Sequence, residues 1–156
     1  MLHFQYSSLI DAPIETVWEF HLRPDILQLL TPPWQPVEVV RREGGLDIGA
    51  ITEIRIGLGP IAVPWRAVLT ECDRPYLFTD VQQEGPLESW THRHQFSPEQ
   101  GVAGQIQTRL TDTIQFSLPG GWLLEQGLNW WVQERLTDMF RYRHQITHQE
   151  CQKSSN

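Results

Sequence analysis

Five ionisable residues stand where strand periodicity would gather them on one surface: Glu71, Asp80, His92, His94 and Asp112. Side chains two apart on a strand share a face. Trp90, His92, His94 and Phe96 therefore form one set, with Thr91, Arg93 and Gln95 turned the other way. Ile106, Thr108, Leu110, Asp112, Ile114 and Phe116 form a second set, Trp65, Ala67, Leu69 and Glu71 a third, and Phe78, Asp80 and Gln82 a fourth. The sets are rich in apolar residues, so each should face a core and carry its ionisable member inward. Buried charge is costly unless paired or neutralised, and three chemistries meet that demand. The histidines and carboxylates could satisfy one another, or they could hold the polar head of an otherwise apolar ligand. Alternatively His92 or His94 could serve as general acid or base, oriented by Asp112, Asp80 or Glu71. The candidate catalytic residues are thus His92, His94 and Asp112.

Other chemistries are disfavoured. His92 and His94 put two imidazoles on one side, but a metal site needs a third ligand and none stands at a fixed spacing, so no metal is expected. His144 and His148, four residues apart near a polar helix end, read as a solvated pair. The chain has neither a glycine-rich phosphate loop nor a G-x-S-x-G elbow, so no cofactor and no nucleophilic catalysis are expected.

The elements that must carry these residues follow from hydrophobic period and turn chemistry. Leu2, Phe4, Tyr6 and Ser8 alternate with polar neighbours as in a half-buried strand. Pro13 suits a first helical position, and Ile14, Val17, Trp18 and His21 make one helical stripe. A short second helix spans Asp25 to Leu30, and Thr31-Pro32-Pro33 ends it. Six strands are predicted near 36–43, 50–58, 62–73, 76–83, 88–97 and 104–117, separated by glycine- and proline-rich turns. After Pro119-Gly120-Gly121, Leu124, Leu128, Trp131, Val132, Leu136, Met139 and Phe140 recur at helical spacing, which predicts a long helix from Trp122 to about Gln145. One domain over residues 1–146 and a polar, disordered tail over 147–156 are expected.

Composition narrows the partners. A net charge of -7 and a lone lysine, Lys153, argue against nucleic acid, whose backbone selects clustered cations. No run approaches the roughly 20 apolar residues of a membrane span, and no signal segment opens the chain, so a cytoplasmic protein without a transmembrane segment is expected. Cys72 and Cys151 suggest no disulfide framework. Seven Trp, six Phe and three Tyr supply much apolar ring surface, for a packed core or for a lined cavity. Meander turns alternate between the sheet's two ends, so the turns at Gly57 to Pro60, Gly85-Pro86 and Pro119 to Gly121 share one. Leu58, Ile61 and Trp122 beside them are the expected cavity mouth, open to transient membrane or protein contact.

The strand, two helices, six strands and long helix, filled by Ser8-Leu9-Ile10-Asp11-Ala12-Pro13, Val17-Trp18-Glu19-Phe20-His21, Trp65-Arg66-Ala67, Trp90 to Phe96 and Phe140-Arg141-Tyr142-Arg143, resemble the START-like or Bet v 1-like superfamily. The chain is similar above all to small bacterial SRPBCC proteins labelled polyketide cyclase/dehydrase or lipid transport. The resemblance implies an α+β helix-grip fold, a seven-stranded curved antiparallel sheet wrapped around the C-terminal helix. It also implies an internal cavity for a small hydrophobic molecule: a lipid, polyketide-like or isoprenoid compound. The expected lining is Trp65, Glu71, Phe78, Asp80, Trp90, His92, His94, Phe96, Asp112 and Trp131. Rival expectations are a cyclase or dehydratase using the cavity histidines and carboxylates, and a protein-interaction module.

Overall fold

The computed structural model describes residues 1–153, apart from the side chains of Trp122 and Leu124. Its elements are β1 (Leu2–Ile10), α1 (Ile14–Leu22), α2 (Ile26–Leu30), β2 (Val37–Glu43), β3 (Ile51–Leu58), β4 (Ile61–Asp73), β5 (Leu77–Glu84), β6 (Ser89–Gln100), β7 (Ile106–Ser117) and α3 (Trp122–Lys153). The seven strands form one antiparallel sheet in the order β1-β7-β6-β5-β4-β3-β2. With α3 against its concave face, this is the helix-grip fold. Consecutive strands from β2 to β7 pair as a meander, and β1 closes the sheet beside β7. Among the described residues no helix is long and apolar enough to cross a membrane.

Two clusters of side chains make the core. Trp18 and Phe20 of α1 pack with Ile10, Leu69, Phe78, Phe96 and Leu110. Trp18 meets Phe78 and Phe96 edge-on, at centroid distances of 5.9 and 5.7 Å, a favoured ring geometry. The second cluster joins Phe4, Ile114 and Phe116 of the sheet to Leu136 and Phe140 of α3.

The C-terminal helix departs from expectation. It runs to Lys153 instead of yielding to a polar tail at 147, and Thr147 and Cys151 are fully buried. Cys151 joins the cluster around Trp18, and the Thr147 hydroxyl donates to the Arg143 carbonyl, 2.9 Å away. The buried stripe is Leu136, Phe140, His144, Thr147 and Cys151, spaced by three or four residues. Small and polar types continue it where apolarity gives out. Residues 154–156 of the expected tail lie outside the described residues.

Trp131, expected on the buried stripe, is about half exposed. It precedes Phe140 by nine residues and so stands about half a turn round the helix from it. Glu71 is a second correction. The β4–β5 register shifts between Leu69 and Glu71, and such a bulge turns the following side chains to the other face. Cys72 accordingly packs against the core and pairs with Phe78, while Glu71 lies outside, accepting from the Thr79 hydroxyl at 2.8 Å.

Candidate functional site

Strand register assembles the site. Asp80 of β5 lies opposite His92 of β6, His94 opposite Asp112 of β7, and Asp112 opposite Tyr6 of β1. From the other side α3 inserts His144. Asp112 is the hub: Oδ1 lies 2.7 Å from both His92 Nε2 and His94 Nδ1, and Oδ2 lies 2.6 Å from His144 Nε2. A carboxylate only accepts, so each of these three nitrogens carries a hydrogen. The Ser8 hydroxyl in turn lies within hydrogen-bond distance of His144 Nδ1, at 2.7 Å. The remaining nitrogens of the β6 pair face Asp80 Oδ2, with His92 Nδ1 at 3.8 Å and His94 Nε2 at 3.5 Å.

Burial and charge set the protonation states. Burial would raise the Asp112 carboxyl, but the His94 charge and the bonds from His144, His92 and His94 outweigh it and hold the group well below the usual carboxylate range. Burial disfavours a charged His94, yet Asp112 and Asp80 together draw its proton affinity above the ordinary histidine value. His92 falls below that value through burial and the neighbouring His94 charge. Asp80 is lowered too: burial opposes, while the His94 bond and the charges of His92, His94 and Arg143 prevail. Arg143 itself is lowered by burial against the pull of Asp112 and Asp80. These directions favour an imidazolium at His94 between two carboxylates, with a neutral His92 beside it.

Apart from Trp65 and Trp90, the predicted lining residues fall into three groups. Asp80, His92, His94 and Asp112 do converge. Phe78 and Phe96 belong to the solid core around Trp18, although Phe78 also stacks on His94 at 4.1 Å. Glu71 and Trp131 are outside, for the reasons given above. His144 corrects the expected solvated pair: its side chain is only 3% exposed, whereas His148 stays near the surface, 3.1 Å from Asp11. Sequence reasoning missed His144, Ser8 and Arg143 as partners, and the signal for His144 was its place four residues after Phe140 on the helical stripe. His21 was expected inward and is buried, 2.7 Å from the Val17 carbonyl.

Beside the cluster, the concave face changes character. α3 lies chiefly over β1, with α1 and α2 alongside it. The cross-strand pairs Ile54–Trp65, Ile56–Val63 and Val37–Ile56 share the face of Ala67 and Leu69 and are half-buried. Trp65 meets Trp90 edge-on at 5.4 Å, and Trp90 leads to His92. Leu58 and Ile61 end the strip at the Gly57 to Pro60 turn, 54% and 64% exposed. The Trp122 side chain expected with them lies outside the described residues. An apolar, partly exposed strip thus runs from that turn toward the imidazole cluster. At its end Asp80 and His94 are the more open members of the cluster, with side chains 25% and 14% exposed against 4% for Asp112. Two surface clefts lie apart from the cluster: one of about 310 Å³ between Trp34 and Tyr142, and one of about 490 Å³ beside Pro36 and Arg55.

Comparison with known proteins agrees with this architecture. A Thermus thermophilus protein of known structure superposes with a TM-score of 0.74 at 18% identity, over 99% of this chain and 100% of that one. The Zhui aromatase/cyclase from Streptomyces sp. R1128 gives 0.72 at 14% identity, over 99% and 96%. A nucleoside-diphosphate sugar epimerase from Corynebacterium glutamicum gives 0.69 at 26% identity, over 96% of this chain but only 29% of that one. At such identities the first two likenesses show the fold alone. No curated protein matches the sequence. The family model described as polyketide cyclase/dehydrase and lipid transport matches residues 10–144, nearly the whole helix-grip architecture, and the chain belongs to that family.

Proposed function

We propose that the protein binds a small hydrophobic molecule of lipid, polyketide-like or isoprenoid type in the concave groove, with the ligand's polar end against Asp80 and His94. One observation carries this reading: a continuous apolar strip, from Ile61 through Val63 and Trp65 to Trp90, stays partly open to solvent and ends on a polar cluster. Leaving that strip uncovered forfeits hydrophobic free energy of roughly 25 cal/mol per Å², which an apolar ligand would recover. Few polar groups in an apolar concavity is also the usual plan of a small-molecule site. Leu58 and Ile61 form the entrance.

The test uses delipidated protein titrated with the neutral fluorophore N-phenyl-1-naphthylamine. We expect saturable binding at one equivalent, with energy transfer from Trp65 and Trp90, and a loss of about tenfold or more in affinity for Val63→Arg. Binding that does not saturate, or that ignores Val63→Arg in a folded variant, would overturn the reading.

A second reading, acid-base turnover of a bound substrate in the manner of a cyclase or dehydratase, is favoured by the charged imidazole of His94 at the groove wall. It predicts that His94→Gln keeps fluorophore binding but loses turnover of a β-hydroxyketone test substrate.

A further inference from the structure

The hydrogen bonds to Asp112 leave three atoms in a separate convergence. His92 and His94 each spend one ring nitrogen on Asp112, so the hydrogens sit there and the other nitrogens are the ones with lone pairs when the rings are neutral. Those two, His92 Nδ1 and His94 Nε2, lie 3.8 and 3.5 Å from Asp80 Oδ2, and Asp80, His92 and His94 each offer a ligand atom within 4.8 Å of the other two residues'. The third ligand that sequence spacing did not supply comes from the neighbouring strand, where Asp80 lies opposite His92. We propose that Asp80, His92 and His94 bind a divalent cation of the zinc class, with a further coordination position open to the groove.

Three features support the proposal. The separations of 3.5 and 3.8 Å to Asp80 are close to the ~3.3 Å between ligand atoms that each stand 2.0–2.1 Å from a tetrahedral zinc. Asp112, behind both imidazoles, accepts their other N–H groups, which is the carboxylate-histidine support that orients metal ligands. Two imidazoles and a single carboxylate suit zinc and its first-row neighbours, whereas calcium and magnesium select oxygen.

The inference is independent of the apolar-ligand reading, because it is measured with the groove empty. Chelator-treated protein is titrated with zinc sulfate by calorimetry and with cobalt(II) by visible spectroscopy. We expect one equivalent of each, with the intense absorption bands of four-coordinate cobalt(II). Asp80→Asn and His94→Gln should each weaken binding by at least about tenfold, and His148→Ala should not. Should the variants fail to fold, long-range proton-nitrogen spectra of the wild-type imidazoles decide. Zinc should then shift His92 Nδ1 and His94 Nε2 directly and leave His144 Nε2 bonded to Asp112. No uptake at millimolar zinc, uptake unchanged in folded Asp80→Asn, or direct shifts at His3 or His148 instead would overturn the proposal.

Discussion

At the scale of single residues, Asp112 carries the largest responsibility. Three imidazole N–H groups converge on one buried carboxylate. Replacing it with Asn leaves a buried charge uncompensated and at least one donor unpaired, so Asp112→Asn should cost about 3–5 kcal/mol in urea unfolding. A loss below about 1 kcal/mol would show that the cluster is held from elsewhere. His21 makes a pH-dependent prediction. Burial lowers its folded value to about 4, from 6.5 for a free imidazole. The unfolded chain therefore takes up a proton below pH 6.5 that the folded protein refuses until about pH 4. Stability associated with neutral His21 is present above 6.5 and is lost as pH falls toward 4, a total of about 3 kcal/mol. His21→Leu should flatten the unfolding free energy across that window by about this amount, and a parallel pair of curves would refute the assignment. Asp80, His92, His94 and Asp112 were legible as an inward set because strand period alone sorts faces. Which nitrogen meets which oxygen was not, since that depends on the stagger between strands.

At the scale of elements, two of the departures from expectation share a cause. The period-two rule carries Glu71 inward only while the ladder is regular, and the bulge after Leu69 breaks it. In α3, the rule that apolar residues mark the buried face fails where Phe140 is followed by His144, Thr147 and Cys151. Nothing in residue type announces that a bulge is present or that a polar stripe is buried, because both are decided by partners far along the chain. The buried last turns of α3 are testable through Cys151, whose thiol burial raises to about 12. Thiolate is the reactive form, so Cys151 should resist iodoacetamide in the folded protein and react only on unfolding, read by peptide mass spectrometry. Modification at the rate of an exposed cysteine would mean that the helix ends frayed near 147.

Over the whole molecule, the concave face divides into a solid part and an open part. Trp18 is 2% exposed among Phe78, Phe96 and Leu110, and Trp18→Ala should cost about 3–5 kcal/mol. Val63, half-buried beside the open groove, should tolerate Ser at about 1 kcal/mol or less. Thermal or urea unfolding of both variants compares them directly. Similar losses at the two sites would mean that the groove is packed like the core and leaves no room for a ligand. The aromatic excess visible in the sequence served both purposes: Trp18 fills the solid part, and Trp65 with Trp90 lines the open part.

The sequence by itself determined the order of elements, the strand boundaries to within a few residues, the family resemblance and the faces on which the site residues lie. These depend on period, turn chemistry and local backbone preference, all short-range along the chain. The tertiary structure alone decided that His144 reaches Asp112, that Asp80 closes on the two imidazoles of β6, and that Glu71 and Trp131 stay outside. It also decided that α3 lies over β1 and leaves the apolar strip of β3 and β4 uncovered. Those outcomes follow from ladder register, one bulge and the packing position of a long helix, which join residues as distant as Ser8 and His144, 136 positions apart.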